Sequence, residues 1–214
     1  MDDLTHIVQL ARDLYQTGPS HDFSHIERVY RLAMKIGKAE GADLKILGVA
    51  TLFHDIARDE ETASGGAICH AAASAERTRG ILEGQQFDPG AIEAICDCIA
   101  THRFRDSNPP RTLEGKCLFD ADKLDSLGAV GVARAYLWLG ERGGTVYVPA
   151  EEWLKTDFAS NRPEDDSLQR EWHIKLRYIQ DQLYTQTARA LAERRQQTMV
   201  EFLAALEREV RGEE

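Results

Sequence analysis

Two imidazoles and two carboxylates stand where this sequence otherwise calls for aliphatic side chains: His25, the adjacent pair His54-Asp55, and Asp122. Each falls in a stretch whose apolar residues recur at helical spacing. A polar or ionised group buried in such a place is strongly unfavourable unless it is paired or metal-bound. A divalent cation is the simplest compensation. A donor set of imidazole nitrogen and carboxylate oxygen, with no thiolate, suits Mn, Mg, Fe, Co or Zn.

The elements that must carry these residues read as helices throughout. A first amphipathic helix holds Leu4, Ile7, Val8, Ala11, Leu14 and Tyr15 and is stopped by Gly18-Pro19. A second begins near Asp22 or Ser24 and ends toward Gly41; its stripe His25, Val29, Leu32, Ile36 turns His25 inward. A third runs from about Asp43 to Arg58 and is apolar on most of its circumference, which makes it the central element. His54 lies below Leu47 and Ala50 on it, and Asp55 is about 100° further round, so one cation can touch both. Gly65-Gly66 precedes a fourth helix, about Ile68 to Glu83, and Asp88-Pro89 starts a fifth that runs through His102. After a loop from Arg103 to Arg111, a sixth helix spans about Thr112 to Leu127, with Leu118, Asp122 and Asp125 on one stripe. Another runs from Gly128 through Gly140.

Residues Glu141 to Pro163 read as irregular, with a short Val146-Tyr147-Val148 that could be extended. From Glu164 onward, glycine and proline are absent until Gly212, and the apolar spacing suggests a pair of helices or one long bent helix. The expectation is an all-α fold: one domain over residues 1–214, a compact multi-helix bundle with its core at about 20–140. C-terminal helices, about 164–211, are expected to pack on it as an extension.

Composition bounds the function. With 214 residues, 43% hydrophobic and 29% charged, the chain can bury a good core. A formal net charge of -10 argues against binding nucleic-acid polymers or anionic membrane, since both need a basic surface. No apolar run reaches the length of a membrane span and the start Met1-Asp2-Asp3 lacks a signal peptide's basic residues, so a cytoplasmic protein is expected. Cys69, Cys96, Cys98 and Cys117 form no C-x-x-C motif and read as small buried hydrophobes; Cys96 and Cys98, two apart on a helix, should point to nearly opposite sides.

The ordered set H…HD…D stands as His25 in HDFSHIERV, His54-Asp55 in TLFHDIARD and Asp122 in FDADKLDSLG. In this it resembles the HD-domain metal-dependent phosphohydrolase superfamily. The H-x-x-R-V start, the apolar residues before H-D, the A-D-K-L context and the separations of 29 and 67 residues all agree with small bacterial members. The tail from Glu171 resembles the C-terminal helices of a subgroup that includes nucleotide pyrophosphohydrolases. The resemblance covers roughly residues 20 to 205. It implies an HD-domain bundle with His25, His54, Asp55 and Asp122 as ligands of a divalent metal.

His70 opens the fourth helix and His102 ends the fifth, on the stripe Ile95, Ile99, His102. Binuclear members of the superfamily place extra histidines at corresponding stages of the chain, so one metal ion is expected and a second is possible through His70 and His102. Alternatively both bind substrate phosphate or donate protons, or are ordinary helix-end histidines. His6, His21 and His173 read as surface or capping residues. A cation with two aspartates is formally neutral, so a phosphorylated substrate needs further positive charge. Arg28, Arg58 and Lys123 each follow a ligand closely, and Arg103 and Arg105 follow His102. Each is otherwise a solvated surface charge, and Lys123 can instead pair with an acid.

The chemistry implied is attack of a metal-activated water on phosphorus, with Asp55 and the two further histidines taking part. Asp59 or Glu60 would orient the water if not simply on the surface. Asp125 fits a partner of a ligand histidine, and Asp120 reads as a cap or surface acid. The leading reading is a phosphohydrolase of a nucleotide or related small phosphorylated metabolite, releasing pyrophosphate or phosphate, in a chain that could form a homodimer. A di-iron oxygenase on the same scaffold and a non-catalytic nucleotide-binding module are the alternatives.

Overall fold

The computed structural model describes residues 5–15, 23–103, 108–158 and 162–213. Leu4, the Gly18-Pro19 stop, His21, Asp22 and Arg105 lie outside them. No strand occurs among the described residues, and the fold is all-α. The chain divides into two compact units, Met1–Asp122 and Lys123–Glu214.

In the first unit α1 is Thr5–Leu14, α2 Phe23–Glu40, α3 Leu44–Phe53, α4 Arg58–Ala63, α5 His70–Gly84 and α6 Pro89–Ala100. Helix α7, Leu113–Leu124, carries the division near its end, after Asp122. Helix α3 is the centre: Leu47 through Phe53 are all buried, and α1, α2, α5 and α6 pack around it. Asp43 caps it by accepting the N–H groups of Lys45 and Ile46 at 2.8 and 3.2 Å. The α2–α3 crossing is close because residue 37 is glycine; a Cβ there would run into the Leu47 side chain. Helix α6 starts as its sequence reads, with Asp88 accepting from Ala91 N–H at 3.0 Å and Pro89 next.

The third helix does not run on to Arg58. It ends at Phe53, and residues 54–57 form tight turns before α4. The cause is local. Thr51 and Leu52 carry the carbonyls that would accept from Asp55 and Ile56 in the next helical turn. Instead the Thr51 carbonyl takes the His54 Nδ1–H at 2.8 Å, and the Leu52 carbonyl takes the Tyr15 hydroxyl at 3.0 Å. Ser74 Oγ accepts from Ala57 N–H, and Arg77 donates to the Ile56 carbonyl. Likewise α6 stops at Ala100, short of His102, whose Nδ1–H bonds the Ile99 carbonyl at 2.6 Å.

In the second unit α8 is Gly128–Glu141, α9 Ala150–Trp153, α10 Leu168–Ile174, α11 Ile179–Gln182 and α12 Gln186–Arg211. The C-terminal region is therefore three helices, with a 3-10 turn at Leu176–Tyr178, rather than a pair or one bent rod. The segment expected to be irregular contains α9, a 3-10 turn begins at its last residue (Pro163–Asp165), and residues 146–148 form no strand. Helix α8 packs on α10 and α12, where Tyr136 and Phe202 meet edge to face with ring centres 6.0 Å apart. Arg170 is almost wholly buried and donates to Thr156 Oγ1 and the Asp157 carbonyl. Among the described residues no helix is long and apolar enough to cross a membrane.

Candidate metal centre

The first unit gathers His25, His54, Asp55, His70, His102 and Asp122 into one buried cluster. His25 comes from the first turn of α2, and His54-Asp55 from the turn that ends α3. His70 is the first residue of α5, His102 lies just beyond α6, and Asp122 sits near the end of α7. His54 and Asp55 therefore sit on a helix-ending turn, not in mid-helix.

Distances define the arrangement. Asp122 Oδ1 lies 3.5 Å from His25 Nε2 and 3.9 Å from His54 Nε2. Asp55 Oδ2 lies 4.0 and 3.9 Å from the same two nitrogens. On its other side, Asp55 Oδ1 lies 3.2 Å from His70 Nε2 and 3.4 Å from His102 Nε2. His54 Nε2 and Asp55 Oδ1 are nevertheless buried without a hydrogen-bond partner. Asp55 thus stands between two groups of imidazoles, one oxygen toward each.

The tautomers explain why these atoms converge without bonding. A carbonyl or carboxylate oxygen only accepts, so His54, His102 and His70 carry a proton on Nδ1, given respectively to Thr51 O, Ile99 O and Glu61 Oε2. In the neutral ring Nε2 then carries no proton, and at His70 it faces an N–H of Arg58 at 3.1 Å. His70 Nε2 and His102 Nε2 stand 3.3 Å apart with no proton to place between them. Burial lowers the His54 pKa to about 4, against the opposing pull of Asp55 and Asp122, so this ring is neutral at pH 7. Burial alone would raise Asp55, but the surrounding imidazoles and Arg58 outweigh it and hold the carboxylate well below the usual range.

Bare lone pairs and two carboxylates facing one another repel unless positive charge sits among them. The donor set fits a divalent cation. Two groups, His25–His54–Asp122 and His54–Asp55–His102, bring their ligand atoms within 4.8 Å of one another. Neighbouring ligands about 2.1 Å from a common octahedral ion lie roughly 3.0 Å apart, and opposed ones roughly 4.2 Å, which brackets the separations here. His54 is wholly enclosed while the Asp122 side chain keeps 18% of its exposure, so the cluster opens to solvent on the Asp122 side.

The other sequence candidates fall in different places. Arg58 reaches the cluster, with Nη1 3.1 Å from each ring nitrogen of His70. The half-buried Arg28 donates to Ser24 Oγ at 2.9 Å on its own helix. Lys123 follows Asp122 on α7 and is half-buried. Asp59 and Glu60 are exposed on α4, and Glu60 pairs with Arg77 at 2.8 Å. Asp120 is fully buried, not a surface acid, and Asp125 accepts from Arg134 at 2.8 Å. His6 is exposed, as expected, and bonds Gln85, whereas His173 is half-buried and stacks on Trp153. All four cysteines are free thiols; Cys96 Sγ bonds the Ala75 carbonyl and Cys98 Sγ meets Thr112 Oγ1, on opposite sides of α6.

Sequence reasoning missed Glu61 and the use of Arg103 with it. Glu61 Oε2 takes the His70 Nδ1–H at 2.7 Å, Arg103 pairs with its Oε1, and Arg58 lies 3.6 Å from Oε2. Burial would raise the Glu61 carboxyl, but His70, Arg103 and Arg58 outweigh it and lower it. The readable signal was spacing: Glu61 is three residues beyond Arg58, on the same helix face.

The sequence pattern of the HD domain family matches residues 22–127. The chain is 31% identical over 196 residues to the uncharacterized protein YpgQ of Bacillus subtilis (strain 168), spanning 90% of this chain and 85% of that one. The crystal structure of YpgQ in complex with ADP is similar at a TM-score of 0.72 and 28% identity, covering 97% of this chain and 98% of that one. A predicted HD superfamily hydrolase from an uncultured Thermotogales bacterium is similar at a TM-score of 0.67 and 29% identity, with 96% and 92% covered.

Proposed function

The chain belongs to the HD-domain family, a family of metal-dependent hydrolases, and on that premise we propose that it hydrolyses phosphate esters or anhydrides of a nucleotide or a related small phosphorylated metabolite. The observation that carries this reading is a buried cluster in which the unpaired His54 Nε2 converges with His25, Asp122 and the Asp55 carboxylate. His25, His54, Asp55 and Asp122 would hold the cation. When bound, such an ion supplies a Lewis acid for a phosphoryl oxygen and lowers the pKa of a water from about 15.7 toward neutrality.

The chain's own residues do the rest. The Nδ1–H bonds to the Thr51 and Ile99 carbonyls fix the His54 and His102 rings. Asp55 and Asp122 balance the cation's charge, so phosphate attraction falls to nearby basic groups. Arg58, beside His70, is the best placed of these, with Arg28 and Lys123 as further candidates. The gap on the Asp122 side is where substrate would enter.

YpgQ's complex with ADP supports a nucleotide as the substrate class. A second cation held by His70, His102 and Asp55 Oδ1 is favoured by their mutual separations of 3.2 to 3.4 Å. The test is a screen of nucleoside mono-, di- and triphosphates with Mn, Mg, Co and Fe, analysed for phosphate and pyrophosphate. Metal-dependent release from at least one nucleotide is expected. Background release with every metal and every nucleotide would reject the proposal.

A further inference from the structure

We propose that Glu61 is a positioning residue, whose carboxylate fixes the Nδ1–H tautomer of His70 and so turns the His70 Nε2 lone pair toward Asp55 and His102. The inference rests on the cation-binding reading of the cluster given above.

The cluster's histidines solve the tautomer problem in two ways. His54 and His102 each sit just past the C-terminal end of a helix, where backbone carbonyls are left over. Each ring uses one of its own, three residues back, at 2.8 and 2.6 Å. His70 cannot do this. It is the first residue of the 15-residue helix α5, and a helix start offers spare N–H groups but no spare carbonyl. An acceptor for its Nδ1–H must come from another element, and α4 supplies it as Glu61 Oε2 at 2.7 Å.

The carboxylate is itself held. Arg103 pairs with Oε1, Arg58 stands near Oε2, and the Glu61 side chain is only 13% exposed. Arg103 is anchored in turn by Cys69 Sγ at 3.2 Å, next to His70 in sequence. A neutral imidazole without a fixed acceptor exchanges its proton between the two nitrogens. In the Nε2–H form His70 would aim a proton at the space shared with His102 Nε2, 3.3 Å away, and at Asp55 Oδ1. That form removes the Nε2 lone pair through which His70 would hold a cation.

The experiment uses the full chain, isotopically labelled and stripped of metal. Long-range nitrogen–proton correlation spectra at pH 8 report each histidine's tautomer, with the His70 signals assigned by their loss in His70→Asn. Calorimetric titration with Mn reports the affinity. In the wild type His70 is expected to be purely Nδ1-protonated. Glu61→Gln, which offers Nδ1 either an acceptor or a donor, is expected to mix or invert that tautomer. It should also weaken binding of the second Mn, at His70, His102 and Asp55 Oδ1, by about tenfold to a hundredfold, while His54 and His102 keep their tautomers. Glu61→Asp, which retains a carboxylate, is expected to recover part of the affinity. An unchanged His70 tautomer in Glu61→Gln, or affinity for the second Mn within twofold of wild type, overturns the proposal and leaves the phosphohydrolase reading standing. If the predicted changes occur but the wild type releases no phosphate from any nucleotide, the functional reading falls and the role of Glu61 stands.

Discussion

Replacing Asp122 by alanine should uncouple the protein's stability from divalent metal. Asp122 Oδ1 lies between His25 Nε2 at 3.5 Å and His54 Nε2 at 3.9 Å, so its loss removes a ligand and halves the cluster's negative charge. A ligand that binds only the folded state stabilises it by RT ln(1 + [L]/Kd), about 2.7 kcal/mol at a hundred times Kd. For a chain of this size that raises the melting temperature by roughly 5 to 11 °C. If the substitution weakens binding about a hundredfold, the same Mn concentration only equals the variant's Kd. Stabilisation then falls to about 0.4 kcal/mol and the shift to about 1 to 2 °C. The assay is thermal unfolding of EDTA-stripped wild type and Asp122→Ala, with and without Mn at one fixed concentration. A wild-type shift below 2 °C, or an equal shift in the variant, refutes the reasoning.

The unfolding profile of the metal-free protein should depend on pH through His54. Its pKa is about 4 when folded against 6.5 when exposed, so the unfolded chain binds the extra proton between those values. Stability is therefore full above 6.5 and is lost as pH falls toward 4, by on the order of 3 kcal/mol; His54→Leu should flatten that slope in melts from pH 7 to 4. Asp43→Ala removes the cap of α3 and should cost about 1 kcal/mol in denaturant unfolding, with Mn affinity unchanged in calorimetry. Gly37→Ala drives a methyl group toward the fully buried Leu47 and should cost about 1 to 3 kcal/mol by the same measurement. Asp59→Ala, at an exposed position on α4, should leave phosphate release within about twofold of wild type, which steady-state rates will check.

The residues that could be read directly were those that violate local pattern. His25, His54, Asp55 and Asp122 are polar groups on apolar stripes, and that conflict is visible in one dimension because helical spacing fixes which face each occupies. The start of α6 was legible for the same reason, since Asp88 and Pro89 act within one turn. What escaped were features made by side chains from elsewhere in the fold. The end of α3 depends on His54 and Tyr15 claiming two carbonyls, which no propensity encodes. Once the helix breaks at Phe53, the phase of α4 is reset, and counting one turn beyond His-Asp selects Asp59 and Glu60 where the fold presents Glu61. Asp120 was misread as a possible surface acid because α7 is buried on more of its surface than its composition suggests: Cys117 through Ala121 are all enclosed.

The central claim is that His25, His54, Asp55 and Asp122 hold a divalent cation on which phosphate release depends. Its most direct test is to measure bound metal and nucleotide turnover on the same samples of wild type, His54→Ala and Asp55→Ala. The account predicts at least one equivalent of metal and metal-dependent turnover in the wild type, with both lost together in each variant. Retention of both metal content and turnover in His54→Ala and Asp55→Ala would contradict it.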